Sequence, residues 1–182
     1  MSTLTRPERA KPNILITGTP GTGKSTTSAD IAEALGFAHL NVGDIVKSEK
    51  CYESRDEEFD AYMLDDDKLI DEMEPMVAGE SGDGGCVVDF HSCEMFPERW
   101  FDLVLVLRAS TEVLFDRLTE RNYSEKKREE NMTAEIMQVV AEEARESYAE
   151  EIVHEVQSNT VEDMEANVER VKQWAEAWKA NN

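Results

Sequence analysis

The feature that most constrains this chain is a glycine-rich run that separates an apolar segment from a helical pattern. Residues 18–25, Gly-Thr-Pro-Gly-Thr-Gly-Lys-Ser, match the G-x-x-x-x-G-K-[ST] pattern of phosphate-binding loops in full. The apolar segment 13–17 predicts a buried parallel strand, and residues 24–35 predict a helix that ends at Gly36. A strand, this loop and a helix in that order predict an α/β domain that binds the phosphates of a nucleotide.

The residue types in the loop explain the expected chemistry. Glycines allow backbone conformations closed to other residues and let the chain approach an anion closely, while the helix N-terminus contributes about half a positive charge. We expect the Lys24 ammonium to reach the β- and γ-phosphates of ATP, the Ser25 hydroxyl to bind Mg²⁺, and Thr26 to lie at the α-phosphate. The predicted nucleotide-binding residues of the loop are Gly18, Pro20, Gly21, Thr22, Gly23, Lys24, Ser25 and Thr26. A glycine-rich turn that matches by chance is the alternative, and the complete strand–loop–helix context disfavours it.

Apolar runs alternate with helical patterns along the rest of the chain, which predicts repeated βα units. Further strands are predicted within 37–42, 86–90, 103–108 and 152–157. Two segments interrupt the pattern, an acidic stretch at 49–83 and a short, polar, lysine-rich loop at 122–131. We interpret both as insertions in a single domain that spans residues 12–180, and we expect residues 1–11 to be disordered.

The net charge is strongly negative, because 40 acidic residues outnumber 19 basic ones and leave a formal charge of −21. Such a surface repels nucleic-acid phosphates, so direct binding of RNA or DNA through a basic face is disfavoured. It can instead attract a basic protein or serve solubility alone, and the sequence leaves both interpretations open. No run approaches the roughly 18 apolar residues needed to span a bilayer. Three cysteines without a paired spacing predict free thiols.

Two side chains after the third predicted strand are candidates for the reaction itself. Asp89 ends an apolar run, a position from which a carboxylate of a phosphate-loop protein can hold Mg²⁺ through water; an aspartate that merely caps the strand is the alternative. His91 lies two residues later on the same side of an extended chain, where it can orient a phosphoryl acceptor or a water molecule. A satisfied polar residue beneath the loop is an equally good interpretation of His91.

Cationic residues after the fourth predicted strand favour phosphoryl transfer between small molecules. Arg117 and Arg121 are four positions apart on a predicted helix and therefore point from one face. Residues 126–128, Lys-Lys-Arg, follow in the polar loop. Arginines carried by a closing flap stabilise a transferring phosphoryl group and exclude water, whereas a solvated basic helix end is the alternative. The chain has no Asn-Lys-x-Asp sequence for guanine recognition, which argues against a GTPase switch.

Several longer sequence blocks carry a family resemblance. They include Asn-Val-Gly-Asp, Val-Asp-Phe-His and Phe-Pro-Glu-Arg-Trp-Phe, and the blocks lie at 18–26, 41–44, 88–91, 96–101, 117–127, 148–154 and 158–159. Together they closely resemble the adenylate kinase isoenzyme 6 family, whose members are also described as coilin-interacting nuclear ATPases. The resemblance covers nearly the whole chain, from Pro12 to Trp178.

The resemblance implies a nucleoside monophosphate kinase fold with five parallel strands in the order 2-3-1-4-5 and helices on both faces. Residues 41–70 become the acidic flap that binds the monophosphate, and residues 120–131 become a short lid. Arg121 is implied at the ATP phosphates, Arg117 at the reaction centre, and Asn159 and Thr160 beside the adenine. The residues implied at the monophosphate are Gly43, Asp44, Lys47 and His91.

The resemblance also implies what the protein does. Family members transfer the γ-phosphate of ATP to AMP or dAMP with broad specificity and hydrolyse ATP. They also act in maturation of the small ribosomal subunit (18S pre-rRNA) by binding a basic protein of the uS11 type. The expectation is a monomeric enzyme of the nucleus and cytoplasm that does not associate with membranes, and it holds for either dominant activity.

Two alternatives and one departure accompany this expectation. The first alternative is an ATP-gated assembly factor with little kinase activity, in which Asp89 and His91 position water. The second is a small-metabolite kinase of the gluconate or shikimate type, which does not predict the block at 96–101. The departure is Lys47, because the family has an arginine three residues after the Gly-Asp pair and a lysine lacks the bidentate guanidinium fork.

Overall fold

The structure is a computed structural model that describes residues 8–59 and 61–182. At its centre lies a five-stranded parallel sheet. The strands are β1 (Ile14–Thr17), β2 (Ala38–Asn41), β3 (Tyr52–Asp56), β4 (Ala61–Leu64), β5 (Cys86–Asp89), β6 (Leu103–Arg108) and β7 (Val153–Gln157). The helices are α1 (Lys24–Leu35), α2 (Val42–Ser48), α3 (Asp66–Ala78), α4 (Thr111–Glu120), α5 (Glu125–Ile136), α6 (Val139–Ser147) and α7 (Val161–Asn181). The sheet order is β2-β5-β1-β6-β7. Without the separate β3–β4 hairpin this is the order 2-3-1-4-5, which confirms the predicted fold class.

Both faces of the sheet are covered, and strand β1 shows how the sequence achieves this. Leu15 points into a core formed with α3 and α6, whereas Ile14 and Ile16 point into a second core that includes Ile31 of α1 and Val171 of α7. A strand buried on both faces requires an unbroken apolar run, because successive side chains alternate between the faces. The same alternation explains the apolar β5 and β6.

The helix that follows the phosphate loop begins and ends where the sequence predicts. It runs from Lys24 to Leu35, and Gly36 ends it in the left-handed conformation, with φ of 66°. The Gly36 amide lies against the carbonyl groups of Ala32 and Glu33, which closes the last turn. Helix α1 therefore points its N-terminus at the carboxyl end of the sheet, where the site lies.

The acidic stretch at 49–83 forms regular secondary structure, and part of it belongs to the core. Its second half forms α3, whose side chains Leu69, Met73 and Val77 are buried in the core. Its first half forms the β3–β4 hairpin, in which the rings of Tyr52 and Tyr62 lie 4.6 Å apart. The hairpin lies outside the main sheet, whereas α3 belongs to the core, because its apolar positions recur at helical spacing among the acids.

The predicted polar lid loop is largely a helix. Ser124 accepts a hydrogen bond from the Lys127 amide (3.2 Å) and so caps α5, which continues to Ile136. The prediction of a loop at 122–131 was wrong because lysine, arginine and glutamate are good helix formers and only the cap marks the boundary. We refer to α5 as the lid helix.

The expectation of disorder at the N-terminus is wrong for residues 9–11, and the part that concerns residues 1–7 lies outside the described residues. The Arg9 guanidinium donates to the carbonyl oxygens of Trp100 (2.6 Å) and Arg99 (2.5 Å) and lies 3.5 Å from the buried Asp102 carboxylate. Lys11 pairs with Gly84 through a backbone bridge.

Two predicted absences can be compared with the described part of the chain. Within it, no helix combines the length and apolar character needed to cross a membrane. The three cysteines, Cys51, Cys86 and Cys93, are free thiols, and all three are buried.

Candidate active site

The phosphate loop lies between β1 and α1 and is held by internal hydrogen bonds. The Thr22 hydroxyl donates to the Thr19 carbonyl (2.8 Å), and the Ser158 hydroxyl donates to the Thr22 carbonyl (2.7 Å). Gly18 is required by close approach, since a Cβ there would lie 2.8 Å from the Leu107 carbonyl oxygen. Thr22, predicted to bind nucleotide, is thus fully buried with its side chain turned into the protein. Internal hydrogen bonds therefore fix the shape of the loop.

The Lys24 ammonium donates to the Thr19 carbonyl oxygen at 3.2 Å and lines the cleft above the loop. Burial lowers the pKa of Lys24 from 10.5 to about 8. The Asp89 and Glu135 carboxylates oppose this change, whereas the Arg121 charge adds to it. A phosphate group in the cleft would favour the charged form, so the lysine is prepared to bind an anion.

A small polar cluster joins the loop to the ends of β2 and β5. The Asn41 amide nitrogen donates to the Ser25 hydroxyl (3.2 Å) and to Asp89 Oδ1 (3.0 Å), and the Ser25 hydroxyl lies 3.3 Å from the same oxygen. His39 Nε2 contacts the other carboxylate oxygen, Oδ2. The predicted metal residues Ser25 and Asp89 are therefore adjacent. Hydroxyl and carboxylate oxygens are the hard donors that Mg²⁺ prefers, so these residues fit that ion.

Asn41 has a second role at the start of α2. Its side-chain oxygen accepts a hydrogen bond from the Asp44 amide at 3.0 Å and so caps the helix. One amide side chain therefore connects the Asp89 carboxylate to the helix that carries Gly43 and Lys47. The predicted Gly43 and Lys47 line the main cleft, whereas Asp44 lines an adjoining groove with His39 and Met76.

His91 lies at the mouth of the cleft, with its ring 4.4 Å from the Phe90 ring. Loss of water around the ring, together with the Lys24 and Lys127 charges, lowers the pKa of His91 to about 4. The imidazole is therefore neutral at pH 7, where it can donate or accept a hydrogen bond but carries no charge.

Arg117 and Arg121, which were both predicted at the phosphates, have different surroundings in the structure. Arg121 lines the cleft. Arg117 instead donates to the carbonyl oxygens of Ser158 (2.7 Å), Asn159 (3.2 Å) and Gly21 (3.3 Å). The structure thus uses the Arg117 guanidinium to hold the phosphate loop against the turn at residues 158–159, a placement that differs from the expected reaction-centre contact.

The two residues expected beside the adenine have structural partners in this turn. The Asn159 side-chain oxygen accepts a hydrogen bond from the Ser110 amide (2.7 Å). The Thr160 hydroxyl accepts a hydrogen bond from the Asp163 amide (3.1 Å), and the Asp163 carboxylate accepts one from the Thr160 amide (3.2 Å). The two bonds form a capping box at the start of α7. Their expected contact with adenine stays a prediction.

The cleft has a volume of about 510 Å³, which is within the usual range for small-ligand sites. Opposite the phosphate loop its wall is apolar and aromatic, formed by Val46 of α2 and by Phe59, Tyr62 and Leu64 of the hairpin. An apolar, aromatic wall of this kind suits a nucleobase. Sequence analysis missed it because the aromatic residues are scattered among acids.

The lid helix is anchored behind the phosphate loop by a buried carboxylate that the sequence analysis did not identify. Glu135 accepts hydrogen bonds from the Thr19 hydroxyl (2.5 Å), Arg108 Nε (2.6 Å) and the Ala109 amide (3.2 Å). Its side chain is 6% exposed. At the other end of the lid helix, Lys126 pairs with Glu58 of the hairpin and lies 4.7 Å from the Phe59 ring centre. The lid helix is thus tied to the phosphate loop near one end and to the hairpin near the other.

Comparisons with known proteins agree with this geometry. A family model described as an AAA domain matches residues 14–138. Over 171 residues the chain is 50% identical to an adenylate kinase isoenzyme 6 homolog of Caenorhabditis elegans, a match that covers 94% of this chain and 93% of that protein. A homolog with the same description from Dictyostelium discoideum is 48% identical over 175 residues, 96% of this chain and 98% of that protein.

One solved structure shares the fold at low sequence identity. Shikimate kinase from Bacteroides thetaiotaomicron superposes with a TM-score of 0.62, covering 91% of this chain and 98% of that one, at only 16% identity. This likeness concerns the fold. The relatives that are about half identical over nearly their full length show more: the chain belongs to the adenylate kinase isoenzyme 6 family.

Proposed function

We propose that this protein transfers the γ-phosphate of ATP to AMP or dAMP and also hydrolyses ATP. The observation that carries the proposal is a single cleft that contains a phosphate-loop lysine at one end and an aromatic, apolar wall at the other. Lys24 and Arg121 would hold the donor phosphates, Phe59 and Tyr62 would face the acceptor, and the buried Asp89 and the exposed His91 line the same cleft. This arrangement supports two nucleotides meeting phosphate to phosphate.

The chemistry needs no nucleophilic side chain, because an oxygen of the acceptor phosphate attacks the γ-phosphorus and ADP leaves with the bridging oxygen on its β-phosphate. Positioning and charge stabilisation then supply the rate enhancement. Lys24 and Arg121 would neutralise the transferring group, and neutral His91 would orient the acceptor by a hydrogen bond. Ser25 and Asp89 would hold Mg²⁺, which supplies positive charge against the phosphate oxygens when bound.

The test is ADP formation from ATP and AMP by purified protein in a coupled assay. We expect activity in the wild type and its loss in Lys24→Met, whereas Lys172→Met, an exposed lysine of α7 that pairs with Glu169, should match the wild type. Undetectable transfer by pure, folded wild-type protein would refute the proposal.

A second candidate function rests on the charge of −21. We propose that the same protein binds a basic ribosomal protein of the uS11 type in the nucleus or cytoplasm and that ATP hydrolysis changes this affinity. Attraction between oppositely charged surfaces raises encounter rates and depends on salt. A pull-down with and without ATP tests it, and no binding at 100 mM salt in either condition would contradict it.

A further inference from the structure

Two polar side chains of strand β2 flank the carboxylate of Asp89. In the parallel pairing of β2 with β5, Asn41 lies beside Asp89 and His39 lies beside Val87. Side chains two residues apart on a strand point to the same face of the sheet, and Leu40, between the two, packs into the core on the other face. Strand β2 therefore places two hydrogen-bonding groups on the face of the sheet to which Asp89 points.

The two carboxylate oxygens of Asp89 have different partners. Oδ1 accepts a hydrogen bond from the Asn41 amide nitrogen (3.0 Å) and lies 3.3 Å from the Ser25 hydroxyl, so it is the oxygen on the side of the phosphate loop. Oδ2 is in contact with His39 Nε2. Because an ionised carboxylate only accepts hydrogen bonds, Nε2 is the protonated ring nitrogen and donates. Each oxygen thus has a donor from β2.

His39 approaches Asp89 from outside the main cleft. The Asp89 side chain is 4% exposed and lines the cleft, whereas the His39 side chain is 26% exposed and lines the adjoining groove with Asp44 and Met76. A carboxylate that is nearly closed off from water takes its orientation from its hydrogen-bond donors. The groove side of the sheet therefore carries the group that fixes Oδ2, and the cleft side carries Oδ1.

We propose that His39 is a positioning residue for the metal-binding pair Ser25 and Asp89. Its hydrogen bond holds Oδ2 and so keeps Oδ1 turned towards the Ser25 hydroxyl, the arrangement in which Oδ1 and the hydroxyl can serve one Mg²⁺ ion. Partners behind a metal ligand commonly set its orientation in this way. The proposal rests on the metal role that the proposed function gives to Ser25 and Asp89.

The experiment compares two amide side chains that differ in reach. The amide nitrogen of glutamine lies about as far from the backbone as Nε2 of histidine, whereas that of asparagine lies about where Nδ1 does. His39→Gln should therefore keep the hydrogen bond to Oδ2, and His39→Asn should lose it. The matched control is His154→Asn, because His154 is an exposed histidine of β7, at the opposite edge of the same sheet.

Two quantities are measured for each purified protein. One is the affinity for Mn²⁺ of its complex with a non-hydrolysable ATP analogue, by electron paramagnetic resonance, and the other is the affinity for the analogue in EDTA. We expect His39→Asn to weaken Mn²⁺ binding by about 10- to 100-fold, the usual cost of losing a partner behind a metal ligand. Its metal-free affinity for the analogue should stay close to that of the wild type. His39→Gln and His154→Asn should match the wild type in both quantities.

Three results would overturn the assignment. The first is Mn²⁺ binding by His39→Asn that equals that of the wild type. The second is a His39→Gln variant as impaired as His39→Asn, since a donor at that reach would then not be what matters. The third is an equal loss with and without metal, or a His39→Asn variant that does not fold, because the histidine would then serve the fold and not the metal pair.

The proposed kinase function fails separately. A wild type that transfers no phosphate to AMP but loses affinity for Mn²⁺ on His39→Asn would refute the kinase and leave His39 as a positioning residue. A wild type that transfers phosphate while His39→Asn binds Mn²⁺ normally would keep the kinase and remove the role of His39.

Discussion

Replacing Glu135 with alanine would remove the carboxylate that joins the lid helix to the phosphate loop. The change leaves the buried Thr19 hydroxyl and the Ala109 amide without an acceptor, and it takes one carboxylate from Arg108. An unsatisfied buried donor costs about 1–3 kcal/mol. Arg108 keeps a partner in Glu155 (2.9 Å), so its own loss is smaller. We expect the free energy of unfolding to fall by about 3–4 kcal/mol, the lower part of the range for breaking a buried ion pair.

Urea denaturation measures this loss. With a dependence on urea of about 2 kcal/mol per molar, the midpoint should fall by about 1.5–2 M. The matched control is Glu155→Ala, which removes a carboxylate from the same arginine at the surface and should cost under about 1 kcal/mol. Equal losses in the two variants would show that the buried carboxylate does not anchor the lid helix and would refute the reasoning.

Three further predictions concern charge and anchoring. Between about pH 7 and pH 8 ATP affinity should change little, and above pH 8 it should fall by up to about tenfold per unit, because burial lowers the pKa of the free Lys24 to about 8 and the neutral amine no longer attracts a phosphate; titration calorimetry over about pH 7 to 9.5 should show this, and Lys24→Met should show no such fall. Lys47→Arg should lower the KM for AMP without changing that for ATP, since a guanidinium fork can hold a phosphate through two hydrogen bonds; equal KM values for AMP would argue against an acceptor role. Arg9→Ala should lower the unfolding free energy by about 3 kcal/mol by leaving the buried Asp102 charge with one partner fewer, and a thermal melt that matches the wild type would contradict this.

The sheet was predictable because its strands carry their own signal. A strand buried on both faces is apolar throughout, as in residues 103–108, and the order of strands followed from the family resemblance. The phosphate loop was predictable because its glycines and lysine lie next to one another in sequence. Both features depend on neighbours along the chain.

The parts that escaped prediction depend on distant residues. His39 contacts Asp89 from a neighbouring strand, 50 positions earlier in the chain, and Glu135 meets Thr19 across 116 positions. Neither residue belongs to a local pattern, since a lone histidine or glutamate is common on any surface. The lid helix escaped because a run of charged residues is equally compatible with loop and helix until its Ser124 cap is recognised.

Because the lid helix is anchored at Glu135, a small rotation about that residue displaces the opposite end of the helix most. Lys127 precedes Glu135 by eight residues, which corresponds to about 12 Å along a helix at 1.5 Å per residue. A rotation of about 10° about the anchored end would therefore carry Lys127 by about 2 Å, enough to make or break a hydrogen bond. A nucleotide in the phosphate loop would act on the lid helix next to the anchored end, through Thr19. The hairpin acts on the opposite end, through Lys126. A small displacement at Thr19 would therefore produce a larger displacement at the start of the lid helix. An acceptor that moves the hairpin would act on the lid helix at the point furthest from its anchor.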